Sequence, residues 1–253
     1  MLSMGFKTLL LREVFRFLRI IKQTILPPII NAALFIVIFG FLIGKEIETS
    51  YNVSFTEFFI PGLIMLALIT GSYSNAAFSL FISRFLGQIQ DLLVAPISYI
   101  ELVSAITLGG VIRGITTALL IYLTALIFVP IMIHDFIYLI LITSAVSFLF
   151  ASLGLLVGLI ADEFEHIEIP TVFVLTPLTY LGGVFHSITF LPPLIQQISM
   201  LNPVFYMING FRYSLIGIQE ADLMLSLLIP VILAAIVFAV NVKLFSSGYK
   251  LRI

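Results

Sequence analysis

The stretch ADEFEHIE, residues 161 to 168, gathers the side chains best suited to holding a metal: Glu163 and His166 stand three apart, with Asp162, Glu165 and Glu168 beside them. An E-x-x-H spacing puts a carboxylate and an imidazole on one helical face, as di-iron bundles need, but those centres draw a second E-x-x-H from another helix. This chain has one copy, so the stretch reads as a solvated acidic loop. FGFLIGKE, residues 39 to 46, faintly resembles a phosphate-cradling loop. Its glycines are one residue too close together, and Glu46 replaces the Ser or Thr that would hold magnesium. His134 and His186 have no Ser or Asp arrangement around them that forms a triad. With no cysteine present, disulfide and thiol chemistry are excluded as well. The expectation is a chain that binds no metal or cofactor and does not hydrolyse ATP itself.

Two ionisable residues interrupt otherwise apolar surroundings. Arg113, in GGVIRGITT, falls near the middle of a long apolar run, where a lipid-facing guanidinium costs several kcal/mol, so it must face protein or water. Gly110 and Gly114 form a small-xxx-small pair beside it that lets another helix bring carbonyls or a carboxylate close. Glu101, the other intramembrane polar candidate, cannot be its partner within one helix, because twelve residues separate them by about 18 Å. A structural ion pair between helices and a polar group on a translocation path both remain open for Arg113.

The elements that must position these residues follow from composition. Of 253 residues, 61% are hydrophobic and only 10% charged, and the mean hydropathy is +1.22, which places the chain in the membrane. Apolar runs without strict alternation point to helices, since a bilayer core of about 30 Å takes about 20 residues to cross. We expect an all-α integral membrane protein with six transmembrane helices, at about 25 to 44, 58 to 82, 99 to 128, 136 to 160, 168 to 185 and 223 to 243. Residues 5 to 23 carry Leu10, Val14, Phe17 and Ile21 on one helical face and Arg12, Arg16, Arg19 and Gln23 opposite, the pattern of an amphipathic interfacial helix. No good signal-peptide cleavage site follows, so the first span is expected to be retained. Lys7, Arg12, Arg16, Arg19, Lys22, Arg84, Lys243, Lys250 and Arg252 collect on one side, against Lys45 and Arg212 on the other. Both termini are therefore expected in the cytoplasm.

Between spans two and three, SRFLGQIQDLLVAPIS (83 to 98) reads as a short cytoplasmic helix stopped at Pro96. Phe85, Ile89, Leu92 and Leu93 are a costly set to leave in water, which argues for a surface that docks a cytosolic partner. Span five stops at YLGGVFHSITFLPP (180 to 193), where two glycines and two prolines break an apolar run.

The stretch F-x-x-F-x-x-P-G-L-I from Phe55 to Ile64, then QDLLVAPIS, LTPLTYLGGVF, LPP and LNPVFYMINGFRYSLIGI resemble the ABC-2 type transport permease family, closest to its YadH-type members of the bacterial inner membrane. The resemblance covers nearly the whole chain and implies a single ABC-2 type domain over residues 1 to 253. It further implies a permease subunit, expected as a homodimer in the membrane, that works with two copies of a separate cytosolic ATPase subunit carrying ATP and Mg. The coupling helix of the family falls here on Arg84, Phe85, Gln88, Ile89, Asp91, Leu92 and Leu93, and the amphipathic helix on Phe6 to Gln23. After span five the chain of such permeases turns back into the outer leaflet. That makes 182 to 203 a re-entrant outer gate in which Gly182 and Gly183 turn the backbone and Pro192 and Pro193 start the returning helix. Asn202 and Pro203 end the return, His186 and Ser187 bond freed carbonyls near the outer mouth, and Tyr206 and Arg212 anchor the next helix at the outer interface.

Members of the family export drugs, lipids, polysaccharides or other envelope components. No aromatic row is evident in spans one, two and five, and Phe is spread over all faces, so a small amphiphile or lipid-like substrate is expected. Membrane lipids are the other expected contacts, and nucleic acid is not. A proton- or ion-coupled secondary carrier, suggested by Glu101 and Arg113, would need paired broken helices, of which one is found. An intramembrane enzyme would need clustered His, Asp or Ser at one depth, and these are scattered.

Overall fold

Ser-x-x-Glu punctuates the chain twice. Ser54 and Ser98 each accept from the backbone N–H three residues on, while Glu57 and Glu101 reach back to the backbone N–H of the serine, closing two capping boxes. Each starts a helix about 30 residues long: α4 (Phe55–Phe85) and α6 (Tyr99–Phe128). The computed structural model describes residues 4–43 and 53–251; residues 44 to 46 of the phosphate-loop look-alike, and Arg252, lie outside the described residues.

Before α4 come α1 (Met4–Arg19), α2 (Ile21–Thr24) and α3 (Leu26–Phe35), the last opening on Pro27 and Pro28 and running on as a π-helical stretch to Ile43. After α4, Gly87 turns the chain with a φ of 72° into α5 (Ile89–Val94), which leads to α6. The remaining helices are α7 (Phe136–Ile160), α8 (Glu165–Pro170), α9 (Thr176–Leu181), α10 (Pro193–Leu201), α11 (Pro203–Ile216) and α12 (Leu223–Ser247). Among the described residues there is no strand. Five helices are long and apolar enough to cross a membrane: Ile21–Gly40, Phe55–Phe85, Tyr99–Phe128, Phe136–Ile160 and Leu223–Ser247. The stretch expected as span five is instead α8, a π-helical turn at Thr171–Leu175, and α9 in succession, 17 residues and about 25 Å end to end. Pro170 and Pro177 each remove a backbone donor, and the ladder slips to wider spacing between them.

α4 is the centre of the bundle, sandwiched between α6 and α7. Its backbone meets theirs directly. A Cβ on Gly154 of α7 would sit 2.1 Å from the Tyr73 carbonyl oxygen, and one on Gly158 would sit 2.4 Å from that of Ala77. On the other flank, a Cβ on Gly114 would lie 1.9 Å from Ser72 Oγ, and one on Gly110 would lie 2.8 Å from Ala151 Cβ. Without water to drive apolar burial, helices in lipid associate through such close contact. The pair at Gly110 and Gly114 therefore packs α6 on α4 and α7 and does not serve Arg113. Gly154-x-x-x-Gly158 carries the same signal and escaped the sequence reading.

α1 departs from expectation in its faces. Phe6, Leu9, Glu13 and Phe17 are its buried residues, while Leu11, Phe15 and Leu18 are exposed. Arg12 and Arg16, expected opposite the packed face, turn toward α4: Arg12 Nη2 donates to Ser83 Oγ at 3.1 Å and Arg16 Nη2 to the Asn75 carbonyl at 3.0 Å. α1 thus climbs α4 from Ser83 to Asn75, two turns and about 12 Å. A small core joins the two ends of the chain here, with Phe6 and Leu9 packed in one cluster with Phe245 and Leu251.

Gly154→Leu, which drives a branched side chain into the Tyr73 carbonyl, is expected to separate α7 from α4. The check is thermal unfolding of the purified protein in detergent. We expect the midpoint to fall by at least what about 1–3 kcal/mol of overpacking produces, or no folded material to be recovered.

Candidate functional site

The segment expected to couple to a partner sits at the C-terminal end of α4, where Ile89 shares a cluster with Phe6 and Leu9 of α1 and with Phe245 and Leu251. Ile89 is fully buried, and Leu92 and Leu93 pack partly against the core cluster of α1, α6 and α12. Ile89 is therefore held by the chain itself, and Leu92 and Leu93 are half-covered by it. Phe85 is exposed, stacked at 6.0 Å on Phe81 and edge-on at 5.5 Å to Phe164. Leu86 and Val94, neither singled out from the sequence, are 59% and 86% exposed, with Gln88 and Asp91 exposed between them.

Arg84 looks inward. Its Nη1 donates to the carbonyls of Gly158, Leu159 and Ala161 at 3.2, 2.7 and 2.9 Å, and its Nε to that of Lys250 at 3.0 Å. The last turn of α7 leaves carbonyls without intrahelical partners and carries the negative end of the helix dipole, so a guanidinium is well placed there. Lys250 completes the cap: its Nζ donates to the Ile160 carbonyl at 2.7 Å and to both oxygens of Asp162 at 2.8 and 2.7 Å. Hydrogen bonding from Lys250 holds the Asp162 carboxyl below its ordinary range, with the charges of Lys250 and Arg84 adding to it. His166 joins the same loop, its Nδ1 accepting from the Asp162 N–H at 3.3 Å. α4, α7 and the C-terminal tail are thereby tied into one unit immediately before α5.

Glu101 is engaged in capping its own helix. It is the third residue of α6, and its Oε2 accepts from the Ser98 N–H at 3.1 Å and from Ser98 Oγ at 2.9 Å. The Ser98-x-x-Glu101 spacing in the sequence is the signal that would have identified it. Arg113 is fourteen residues, about 21 Å, along α6 from that start. Its Nη2 donates to the carbonyl of Thr24 at 3.3 Å, at the end of α2 where the first candidate span has just begun. The middle of a 30-residue helix is therefore level with the beginning of a 20-residue one, and the lower part of α6 projects past the apolar run of span one.

The break after α9 is a turn built on Gly183, whose φ is 88°. A Cβ on Gly62 of α4 would lie 2.7 Å from Val184 Cα, so the turn abuts α4 about 10 Å below the start of that helix, seven residues along from Phe55. Pro192 caps α10 and Pro193 opens it, as their positions suggest. Asn202 caps α11 by accepting from the Val204 N–H at 2.9 Å, with Pro203 as first residue, and its Nδ2 donates at 2.6 Å to the Leu178 carbonyl of α9.

Arg212 was expected at an exposed interface and is instead 1% exposed. Its Nη1 donates to Glu220 Oε2 at 2.8 Å, its Nη2 to the Gly183 carbonyl, its Nε to the Phe58 carbonyl at 3.3 Å, and its guanidinium lies 3.9 Å over the Phe58 ring. Glu220 also accepts from Ser187 Oγ, so Ser187 serves this carboxylate and not a freed carbonyl. Asn209 holds the loop that carries Glu220: its Oδ1 accepts from the Glu220 and Ala221 N–H groups at 2.6 and 3.1 Å. His186 lies beside the pair, and its Nε2 has no hydrogen-bond partner among the described residues. Tyr206 is half-buried, edge-on to Phe205 at 5.2 Å. One buried ion pair thus fastens the 183-to-187 turn to α4, to α11 and to the loop before α12.

Aromatic rings also gather around that turn, contrary to the even spread expected. Phe35 and Phe39 of span one stack at 5.6 Å; Phe55 and Phe59 of α4 stack at 6.0 Å; and Phe185 lies 5.9 to 6.0 Å from Phe35, Phe39 and Phe59, with Tyr180 edge-on to it at 5.2 Å. The sequence hid this cluster because its members are up to 150 residues apart. The rings pack on one another, which makes them core around the turn.

Two outcomes follow. Glu220→Gln is expected to destabilise the purified protein by about 3–5 kcal/mol by leaving Arg212 buried and unpaired, and Arg212→Met combined with Glu220→Met by less than the two single changes summed; a thermal double-mutant cycle measures both. For Asp162, a depressed folded-state pKa means a contribution present above the ordinary carboxylate value and lost as pH falls through the folded value. The difference in unfolding midpoint between wild type and Asp162→Asn should therefore persist at neutral pH and vanish at pH values well below about 4.

Comparison with known proteins accords with this arrangement. The family described as ABC-2 type transporter matches residues 4–216. The inner membrane transport permease YadH of Escherichia coli K12 is 40% identical over 97% of this chain and 96% of its own. Nodulation protein J of Rhizobium leguminosarum bv. viciae is 23% identical over 87% of this chain and 86% of its own, and a putative transport permease, ycf38, of Cyanophora paradoxa is 27% identical over 75% and 67%. A bundle of apolar helices and near full-length similarity to an inner-membrane permease lead to one conclusion: the chain belongs to the ABC-2 family, as a multi-pass inner-membrane permease of an ABC transporter.

Proposed function

We propose that this permease moves a small amphiphile, a drug or a lipid-like envelope component outward across the inner membrane, as one of two identical subunits served by two copies of a cytosolic ATPase. ATP and Mg are bound by the ATPase, and this chain contributes no catalytic group. The observation that carries the proposal is the surface left at the end of α4: Phe85, Leu86 and Val94 exposed together over a fully buried Ile89. An exposed apolar patch rimmed by Gln88 and Asp91 suits a protein partner, and the Arg84 clamp would pass its motion to α7 and the C-terminal tail.

On this reading both termini lie in the cytoplasm. Basic residues favour that side, and Phe6, Leu9, Phe245 and Leu251 share a core, which supports a common side for the two ends. A sixth crossing by α8, the π-helical turn and α9 would follow, closed by a re-entrant turn. Its support is the contact of Val184 with α4 about 10 Å below the helix start, where non-helical backbone survives because protein buries it. The Arg212–Glu220 pair would then serve as the latch of an outer gate. The motive for a secondary carrier weakens, since Glu101 caps a helix and Arg113 meets a carbonyl.

The test is co-purification with the ATPase and measurement of transport-coupled ATP hydrolysis. Val94→Asp and Leu86→Asp are expected to cut stimulated hydrolysis at least tenfold while the permease keeps its unfolding midpoint. Full coupling in both variants would move the docking surface elsewhere.

A further inference from the structure

Where α1, α2, α4 and α6 meet, the chain gathers more positive charge and more N–H groups than it can satisfy. Glu13 is 1% exposed, and its Oε2 is taken by Arg16 Nη2 at 3.1 Å and Ser79 Oγ at 2.5 Å. Arg16 Nη2 also donates to Asn75 Oδ1 at 3.1 Å. A Cβ on Gly109 of α6 would lie 2.7 Å from Glu13 Cβ and 3.7 Å from Asn75 Nδ2, and Arg113, a second cation, follows about one turn along the same face of α6. The junction therefore holds two guanidinium groups and one carboxylate. Among the described residues Arg113 has no carboxylate within ion-pair distance, and its bond to the Thr24 carbonyl is a long 3.3 Å.

The atoms left over point to the missing partner. Arg16 Nε, Arg113 Nε and Asn75 Nδ2 are all buried without a hydrogen-bond partner, and Asn75 is 1% exposed. All three are N–H donors. A buried positive charge surrounded by unpaired donors is unfavourable on its own and is relieved by an anion that accepts several hydrogen bonds at once. The flanking surface indicates where that anion comes from. Phe15, Leu18, Ile20 and Ile21 are exposed on the same segment as the exposed cations Arg19 and Lys22. Apolar side chains interleaved with basic ones mark a surface lying at the level of lipid headgroups, and Arg16 itself is 26% exposed.

We propose that this junction binds the phosphate of an anionic phospholipid from the leaflet in which α1 lies, with Arg16, Arg113 and Asn75 as donors. Bound lipid would tie the N-terminal helix to α4 and α6.

The experiment is native mass spectrometry of the full chain in detergent, exposed to equal amounts of phosphatidylglycerol and phosphatidylcholine with the same acyl chains. Retention of phosphatidylglycerol by the wild type should exceed that of phosphatidylcholine about tenfold, a difference in the range of one well-placed charged contact. Arg113→Gln and, separately, the more exposed Arg16→Gln should abolish the preference, while Arg16→Lys keeps most of it. Inorganic phosphate at millimolar concentration should not displace the lipid. Equal retention of the two lipids by the wild type overturns the proposal whatever the variants do. So does a preference that survives in both glutamine variants, and displacement by inorganic phosphate would mean a site for a free anion instead.

Discussion

Helices surrounded by lipid gain little from hiding apolar side chains, so the whole arrangement depends on how closely backbones can approach α4. Gly154 and Gly158 bring α7 onto the carbonyls of Tyr73 and Ala77, and Gly110 and Gly114 bring α6 onto Ser72 from the other side. The contact is van der Waals in origin and short in range, which is why a single Cβ at these points is incompatible with it. With α4 fixed between its neighbours, the polar groups on its surface acquire fixed partners. Tyr73 Oη donates at 3.0 Å to the Ile167 carbonyl at the foot of α8, and Asn75, Ser79 and Ser83 receive α1.

Charged side chains then fasten the bundle at two places. At one end Arg84 and Lys250 saturate four successive carbonyls of α7, from Gly158 to Ala161. At the other, Arg212 and Glu220 close round the turn at Gly183. Arg84 and Arg212 each serve more than one backbone acceptor, so each joins segments far apart in sequence. Arg84, just before α5, ties α4 to the end of α7 and to the tail. The Arg212–Glu220 pair, 1% exposed on both sides, ties the 183-to-187 turn to α4 and α11.

Legibility in the sequence followed the range of the interaction. Helix starts and stops were readable: Pro193 and Asn202 begin α10 and α11 as their types suggest, and the break after span five falls at Gly182 and Gly183. The capping role of Glu101 is also legible, as the fourth residue of a Ser-x-x-Glu box at the start of an apolar run. The surroundings of Arg113 are not legible along one helix. Counting along α6 puts it near the middle of that helix, and only the bond to Thr24 shows that span one begins beside it. That Ile89 is fully buried, with Leu92 and Leu93 half-covered by the cluster that includes α1 and the tail, depends on contacts between residues far apart in sequence.

Composition and the spacing of apolar runs by themselves determined that the chain is a helical membrane protein, because crossing a bilayer demands a length and polarity that few sequences have by accident. The order of motifs placed it among ABC-2 permeases. Which faces those helices present was decided only in three dimensions. Arg212 with Glu220, Arg84 with the end of α7, and Phe35 with Phe185 are pairs whose members are separated by 8 to 150 residues, and nothing local orients them. Their partners are chosen by the packing of α4 with its neighbours, since a polar or aromatic side chain inside a bilayer takes the position that the close contact of backbones leaves to it.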